Sequence, residues 1–416
     1  MRSRLVWIHR YVGLAMALFL AMAGLTGSLL VWYHELDAAV NPRWFSVTPA
    51  PGAAPIDPLT LRERVEAAYP HARVNYVSLS GHPQEAAVFH LDARPRPDKP
   101  QAAPASVDEV FVNPYTAEIL GARRWGALLD GWHNLMPFIY RLHYALALDD
   151  FGVLLMGVVA LLWTLDCFAG AWLTFPPPTK RGARKNASSW LARWKPAWKL
   201  RWREGSYKLN YDLHRAGGLW PWLMLLVLAW SGVAFNLNKE VYSPTMRLAF
   251  DMQPQVWELP ARASAAPDLV MPWQQARLAG QQHMQALASR EGFEVAGAEA
   301  LQFVPRVNAF RYRAKTSRDV NEKRGNTYVV FDAVDGRLLM AYVPTGKAAG
   351  DTLTTWLMTL HMAHIWGIPF RMFVTVLGVA VAMLSITGIH IWLKKRAGRR
   401  KALNRDQPLK LAPGQG

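Results

Sequence analysis

Two apolar runs in this 416-residue chain open on the same signature, and the distances that follow are the same in both. The first is His9-Arg10-Tyr11-Val12-Gly13-Leu14 and the second His214-Arg215-Ala216-Gly217-Gly218-Leu219. A hydroxyl–glycine pair closes each run, Thr26-Gly27 and Ser231-Gly232, with 18 residues from histidine to glycine in both. Leu142-His143 and Leu360-His361 behave alike, each followed by a glycine 27 residues on, Gly170 and Gly388. A duplication of this kind predicts two like halves, each able to offer one imidazole to a shared centre. Both halves run in the same direction, as a parallel repeat about an axis along the membrane normal.

Four apolar segments reach the ~20 residues that cross a bilayer. The domain boundaries that follow are transmembrane helix 1 over 1–34, helix 2 over 151–175, helix 3 over 214–238 and helix 4 over 369–393. Between them lie a first outer unit over 35–150, a loop over 176–213, a second outer unit over 239–368 and a tail over 394–416. The first span begins Met1-Arg2-Ser3-Arg4 like a secretory leader, but its apolar run exceeds the ~7–15 residues of a leader core, so it reads as a retained helix. Trp7, Trp32, Trp163, Trp172, Trp220, Trp222, Trp366 and Trp392 stand near span ends, as in an interfacial aromatic belt.

The net charge is +17, which in a soluble protein points to nucleic acid. Here the cations flank the apolar runs. Lys180, Arg181, Arg184, Lys185, Arg193, Lys195, Lys199, Arg201, Arg203 and Lys208 fill the loop, and Lys394, Lys395, Arg396, Arg399, Arg400 and Lys401 the tail. The positive-inside rule accounts for both, so no nucleic-acid partner is expected, the lipid bilayer is the surrounding medium, and loop and termini are cytoplasmic.

The outer segments repeat as well. Val110–Leu120 and Val329–Leu339 each read as strand, Asn-Pro or Asp-Gly turn, strand. Helical stretches Leu59–Tyr69 and Trp273–Ser289 precede them, followed by strands Val74–Leu79, Ala87–Leu91, Ala300–Val304 and Phe310–Ala314. A Pro-rich run from Arg94 to Pro104 is a loop. The fold class is therefore an α-helical four-span membrane core with two α+β units on the side opposite the loop and termini. Trp125, Trp132 and Tyr115 are aromatics of those units that can line a ligand site.

The twelve histidines fall in layers. His9, His214 and His390 lie at the cytoplasmic ends of spans; His34, His143, His361 and His364 lie at or before the outer ends. Polar side chains in spans face the bundle interior and mark functional paths, although a histidine at a helix end also serves as an interfacial residue. Neutral imidazole is the axial ligand of b-type haem. Zinc wants further Cys, Asp or Glu ligands, and only Asp166 lies near the inner cluster; copper held by His and Met is the remaining metal. The single cysteine, Cys167, excludes an internal disulfide, a cysteine-ligated iron–sulfur cluster and CxxCH haem attachment. The repeat pairs His143 with His361 and His9 with His214. His390 and His34 correspond to Trp172 and Lys239, and so have no histidine counterpart. Arg10, Arg141, Arg215 and Arg371 sit beside the clusters, either as bidentate partners of haem propionates or as arginines that snorkel to the interface.

The motif Leu360-His361-Met362-Ala363-His364-Ile365-Trp366-Gly367-Ile368-Pro369, the Leu142-His143 pair, the two His-Arg-x-x-Gly-Leu starts and the hairpin Phe331-Asp332-x-x-Asp335-Gly336 resemble the PepSY-associated transmembrane family. The likeness covers nearly the whole chain and extends to iron-regulated inner-membrane proteins, among them di-haem siderophore reductases of the ferrioxamine type. It implies haem b, two groups, held by His9, His143, His214 and His361, with His34, His364 and His390 as further candidates. It also implies a bacterial inner membrane, two periplasmic α+β (PepSY-like) units and reduction of a periplasmic ferric siderophore. No Rossmann fingerprint occurs, so electrons would come from a cytoplasmic reductase, reduced flavin or a quinol. The reading from a different class is a non-enzymatic membrane sensor or assembly factor. Siderophore transport is a third, disfavoured by four spans with no broken helix.

Overall fold

The computed structural model describes residues 2–93, 107–178, 189–262 and 270–405. The Pro-rich run and the four cations from Lys180 to Lys185 lie outside the described residues. The helices are α1 (Arg2–Leu30), α2 (Tyr33–Val40), α3 (Pro42–Phe45), α4 (Pro58–Ala68), α5 (Leu135–Ala145), α6 (Asp149–Thr174), α7 (Trp190–Trp194), α8 (Ser206–Leu219), α9 (Trp222–Asn236), α10 (Ser243–Arg247), α11 (Trp273–Glu291), α12 (Ala349–His361) and α13 (Gly367–Arg405). The strands are β1 (Ala72–Arg73), β2 (Tyr76–Ser78), β3 (Ala87–His90), β4 (Asp92–Ala93), β5 (Glu109–Val112), β6 (Ile119–Arg123), β7 (Val295–Val304), β8 (Ala309–Thr316), β9 (Thr327–Asp332) and β10 (Leu338–Tyr342). Two compact units emerge. One is helical (1–28, 143–237, 372–416) and the other mixed (29–142, 238–371).

In the helical unit α1, α6 and α13 are each long and apolar enough to cross a membrane, and the bent pair α8–α9 makes a fourth span if counted as one. Backbones approach where side chains are smallest, as helices in lipid commonly do. A Cβ on Gly24 would stand 2.4 Å from the Gly378 carbonyl oxygen, and one on Gly378 the same distance from that of Gly24. Ser28 beside this crossing donates to the Thr375 carbonyl at 2.8 Å. α6 meets α9 through Gly157 on Leu237 and Gly232 on Ala160. Asn236 caps the contact, donating to the carbonyls of Tyr144 (2.8 Å) and Val153 (3.0 Å).

The third span is not the continuous helix expected over 214–238. It breaks between Leu219 and Trp222 with a bend of 67°. Pro221 supplies the cause: it has no N–H to continue the ladder, and its ring clashes with the carbonyl four residues back. The first copy has Met16 at the matching place, and α1 runs straight through it.

The mixed unit holds both expected hairpins, β5–β6 and β9–β10, each with a register shift beside its turn. The helices expected near 59–69 and 273–289 are α4 and α11. The two halves are not separate α+β units, however. The larger sheet runs β10-β9-β8-β7-β2, so a strand of the first half completes the sheet of the second. β2 pairs antiparallel with β7, Tyr76 opposite Gln302 and Ser78 opposite Ala300. Pairing covers an edge that would otherwise present free backbone donors and acceptors. One core follows, in which Leu59, Leu61, Val65 and Phe89 pack with Met284, Leu301, Phe310 and Phe331. Asp57 caps α4 by accepting from Leu59 N–H at 2.9 Å, and its other oxygen accepts from Arg277 of α11 at 2.6 Å.

A buried ion pair anchors α2 to the smaller sheet. Arg123 of β6 donates to Asp37 at 2.7 and 3.0 Å, to Glu109 at 2.5 Å and to the His133 carbonyl at 2.6 Å. Arg123 is 2% exposed and Asp37 0%, so neither charge has water to fall back on. Breaking one side of such a pair costs about 3–5 kcal/mol, because the other charge stays buried. Arg123→Met should lower the unfolding free energy of the detergent-solubilised chain by that amount, read by chemical denaturation. A loss below ~1 kcal/mol would assign the pair a surface-like role.

Candidate functional site

Three of the repeat histidines rest against glycines on another helix. A Cβ on Gly27 would stand 3.1 Å from His143 Cε1, one on Gly170 3.4 Å from His9 Cε1, and one on Gly388 3.2 Å from His214 Cε1. α1 thus carries His9, which uses the glycine of α6, and Gly27, which serves His143 just before α6. The second copy places His214 of α8 on Gly388 of α13. The missing Cβ is the space in which each imidazole lies.

Each ring is held at Nδ1. His9 Nδ1 donates to Asp166 Oδ1 at 2.8 Å. His214 Nδ1 donates to the Leu384 carbonyl at 3.0 Å and lies 3.1 Å from Thr387 Oγ1. His143 Nδ1 meets Thr26 Oγ1 at 3.0 Å; that hydroxyl spends its own proton on the Met22 carbonyl at 2.7 Å, so here too the ring donates. With Nδ1 protonated, the lone pair of a neutral ring sits on Nε2. Among the described residues none of the three Nε2 atoms has a hydrogen-bond partner. Metal-binding histidines are oriented in this way, the far nitrogen donating to a carboxylate or carbonyl while the near one faces the metal.

His9 and His214 come together. Their ring centroids are 6.1 Å apart with planes at 57°. Two imidazoles bound to one ion through Nε2 at about 2.0–2.1 Å each have centroids roughly 6 Å apart. A cavity of about 460 Å³ opens around them. Gly13, Gly170, Gly218 and Gly388 make room, Trp163, Trp222 and Trp392 supply apolar surface, and Arg2, Arg10, Arg215 and Lys395 supply positive charge. Arg215 is tied to Asp212 at 2.9 Å and to the Pro196 carbonyl at 2.8 Å, yet its buried Nε has no partner. Among the described residues no three His, Cys, Asp or Glu side chains converge as a metal cage. Two imidazoles alone suit an ion whose other positions are filled by a macrocycle, as in haem, and the glycine cradle and unmatched Arg215 Nε–H fit an apolar plate with anionic edges.

The remaining candidates stand elsewhere. His390 is exposed and does not line the cavity. His34 is exposed on α2, with Nε2 3.6 Å from Glu85 and its ring against Phe45. His361 is the last residue of α12. His364 follows it, held by Asn321 Nδ2 at 3.3 Å; burial first, then the nearby cations Lys323, Arg324 and Arg371, push its pKa down to about 4. Arg141 donates to the Gly126 carbonyl at 3.4 Å. Arg371 pairs with Glu35 at 2.7 Å, donates to the Val31 carbonyl and lies 4.0 Å over the Trp32 ring, a set of contacts that occupies the guanidinium structurally. Of the four candidate arginines, only Arg10 and Arg215 line the cavity. Among the outer aromatics, Trp125 stacks edge-on to Tyr140, Tyr115 donates to the Pro83 carbonyl, and Trp132 is exposed.

The sequence brings out Thr26 and Asp166 without showing which rings they serve, and it leaves out Thr387. Thr26 and Thr387 each precede the glycine that receives the ring, so the signal is a Thr-Gly pair inside an apolar run. At Gly170 the preceding residue is Ala169, and Asp166, one turn earlier, takes the role instead.

The family model for the PepSY-associated TM region matches residues 6–395. The chain belongs to this family. It is accordingly a membrane protein, and the family match spans both the helical and the mixed unit. No curated protein matches the chain.

Asp166→Ala removes the acceptor from His9 and leaves a half-buried N–H without its partner, which costs on the order of 1 kcal/mol. Asp166→Asn keeps an acceptor oxygen and should recover more than half of that loss. Thermal and chemical denaturation of the two variants in detergent decides it; equal stability would show that the His9 contact contributes nothing.

Proposed function

We propose that this chain is a haem-bearing inner-membrane oxidoreductase that passes electrons across the bilayer to a ferric siderophore. The observation that carries the reading is the His9–His214 pair, with both Nδ1 atoms engaged, both Nε2 atoms bare and a cavity around them. Positive-inside topology puts this pair, the basic loop and both termini on the cytoplasmic side, and the mixed unit in the periplasm. The repeat makes the two halves parallel, with His9 and His214 as counterparts. His143, likewise oriented by a hydroxyl and bare at Nε2, is the candidate ligand of a second centre.

Bound haem supplies a one-electron carrier at a potential set by its ligands and surroundings. The chain does the rest. His9 and His214 would hold the iron, the Asp166 carboxylate and the Leu384 carbonyl orient their rings, and Trp163 and Trp222 line the site with apolar surface. Arg10 and Arg215 are placed to neutralise propionates, with Arg215 Nε as an unused donor. No side chain needs to move a proton. Ferric iron is held by hard oxygen donors, and one-electron reduction to the more labile ferrous state releases it. The electron enters from a cytoplasmic reductase, reduced flavin or a quinol.

Protein purified from haem-replete cells should show a reducible low-spin b-type spectrum. His9→Ala and His214→Ala should each remove the same haem, and Gly388→Val, whose side chain takes the space of the His214 ring, should lower that haem's occupancy several-fold. Adding a ferric trihydroxamate to the reduced protein should reoxidise it. A chain without a Soret band would sink the reading; a reducible haem untouched by ferric chelates would sink the substrate alone.

A further inference from the structure

β8 alternates two kinds of residue. Phe310, Tyr312 and Ala314 point into the core shared by both halves, each no more than 3% exposed. Arg311, Arg313 and Lys315 emerge half-buried on the opposite face. Residues two apart on a strand lie about 6.6–6.8 Å apart, so three cations line one face at that interval. Like charges so placed repel, and a sheet tolerates them when counter-charges stand opposite.

No counter-charge stands opposite. In the ladder Arg311 lies between Gln302 and Val330, and Arg313 between Ala300 and Tyr328. Among the described residues none of the three cations forms an ion pair. The titratable groups that act on Arg311 are Tyr328, Arg313 and Tyr76, none of them a carboxylic acid. Burial and the charge of Arg313 push its pKa below the ordinary arginine value.

The donors are also under-used. A guanidinium offers five N–H groups. Arg311 makes one hydrogen bond, to Gln302 Oε1, and Arg313 one, to the Tyr76 hydroxyl at 2.6 Å. Arg313 Nε is buried and without a partner. Both guanidiniums are steadied by aromatic rings, Arg311 5.4 Å from the Tyr328 centroid and Arg313 5.7 Å from that of Tyr76. Two planar forks are thus held in place, side by side, with most of their donors free.

We propose that this face of β8 binds a small polyanion, a ligand with at least two carboxylate or similar oxyanion groups that bridge Arg311 and Arg313. Arginine forks match such groups in bidentate fashion, which lysine cannot reproduce. On the electron-transfer reading, on which the ligand's identity alone rests, the polyanion is a negatively charged ferric chelate, and β8 sets the preference of the protein for anionic over neutral chelates.

The test uses the full chain in detergent, with citrate, ferric citrate and inorganic phosphate as probes in calorimetry at low and high salt. Citrate should bind saturably and raise the unfolding temperature, as any ligand of the native state does. Arg311→Gln/Arg313→Gln should weaken binding at least ten-fold and abolish the thermal shift. Without citrate it should unfold no earlier than wild type, because a repulsion has been removed. Arg311→Lys/Arg313→Lys keeps the charges and should still lose several-fold; it decides the matter if the glutamine variant folds poorly. Equal citrate affinity in wild type and both variants overturns the proposal. So does abolition of citrate binding in nanodiscs of phosphatidylglycerol but not of phosphatidylcholine, which would assign the face to lipid headgroups. The haem spectrum should not change in any of these variants, so failure here leaves the electron-transfer reading standing, and failure of that reading leaves the anion site measurable.

Discussion

A polar ring inside an apolar helix bundle needs two things, space and a partner for its N–H. In this chain one short segment supplies both. Glycine removes the Cβ that would occupy the place of the ring, and a threonine before it, or an aspartate one turn away, accepts from Nδ1. Without the glycine the helices would be held apart; without the acceptor, a donor would be stranded where lipid offers no replacement. The tautomer, the orientation of Nε2 and the separation of His9 from His214 all follow from that arrangement. The cavity has the same origin, since Gly170 and Gly388 in its wall are also the glycines that receive the rings.

Much of this was legible in the sequence, with limits of an identifiable kind. Long apolar runs disclosed the spans, and Asn-Pro and Asp-Gly turn chemistry disclosed both hairpins, because those signals are local. The equal spacing from His9 to Gly27 and from His214 to Gly232 was visible too, but spacing along one helix does not say which helix crosses it. The packing exchanges partners, so that His9 uses Gly170 while Gly27 serves His143. Depth along a helix also does not give angle, as His390 shows. It lies two residues beyond Gly388, roughly 200° around the helix, and so leaves the face that His214 meets. The joining of β2 to β7 was beyond reach, since a three-residue strand carries almost no pattern of its own and pairs with residues more than 200 positions away.

The shared sheet limits how far the repeated sequence pattern carries outside the bundle. Each half contributes a helix and a hairpin, but neither closes its own core. Asp57 of the first half is held by Arg277 of the second, and Leu61 and Val65 pack with Leu301 and Phe310. The mixed unit therefore folds only when two stretches separated by the second and third spans have both been made. Its stability belongs to the pair, and a truncation that keeps one half keeps an open sheet edge.

The bend at Pro221 makes the two copies of the signature mechanically unequal. His9 rides on a helix of 29 residues without a break, and His214 on one of 14 that stops five residues later. A long straight rod resists local rotation, whereas a short helix joined through a proline corner can pivot as a piece. Any adjustment in the gap between the two imidazoles is therefore borne by α8. Substitutions at the corner, rather than at either histidine, are the place where that gap can be tuned without losing an imidazole.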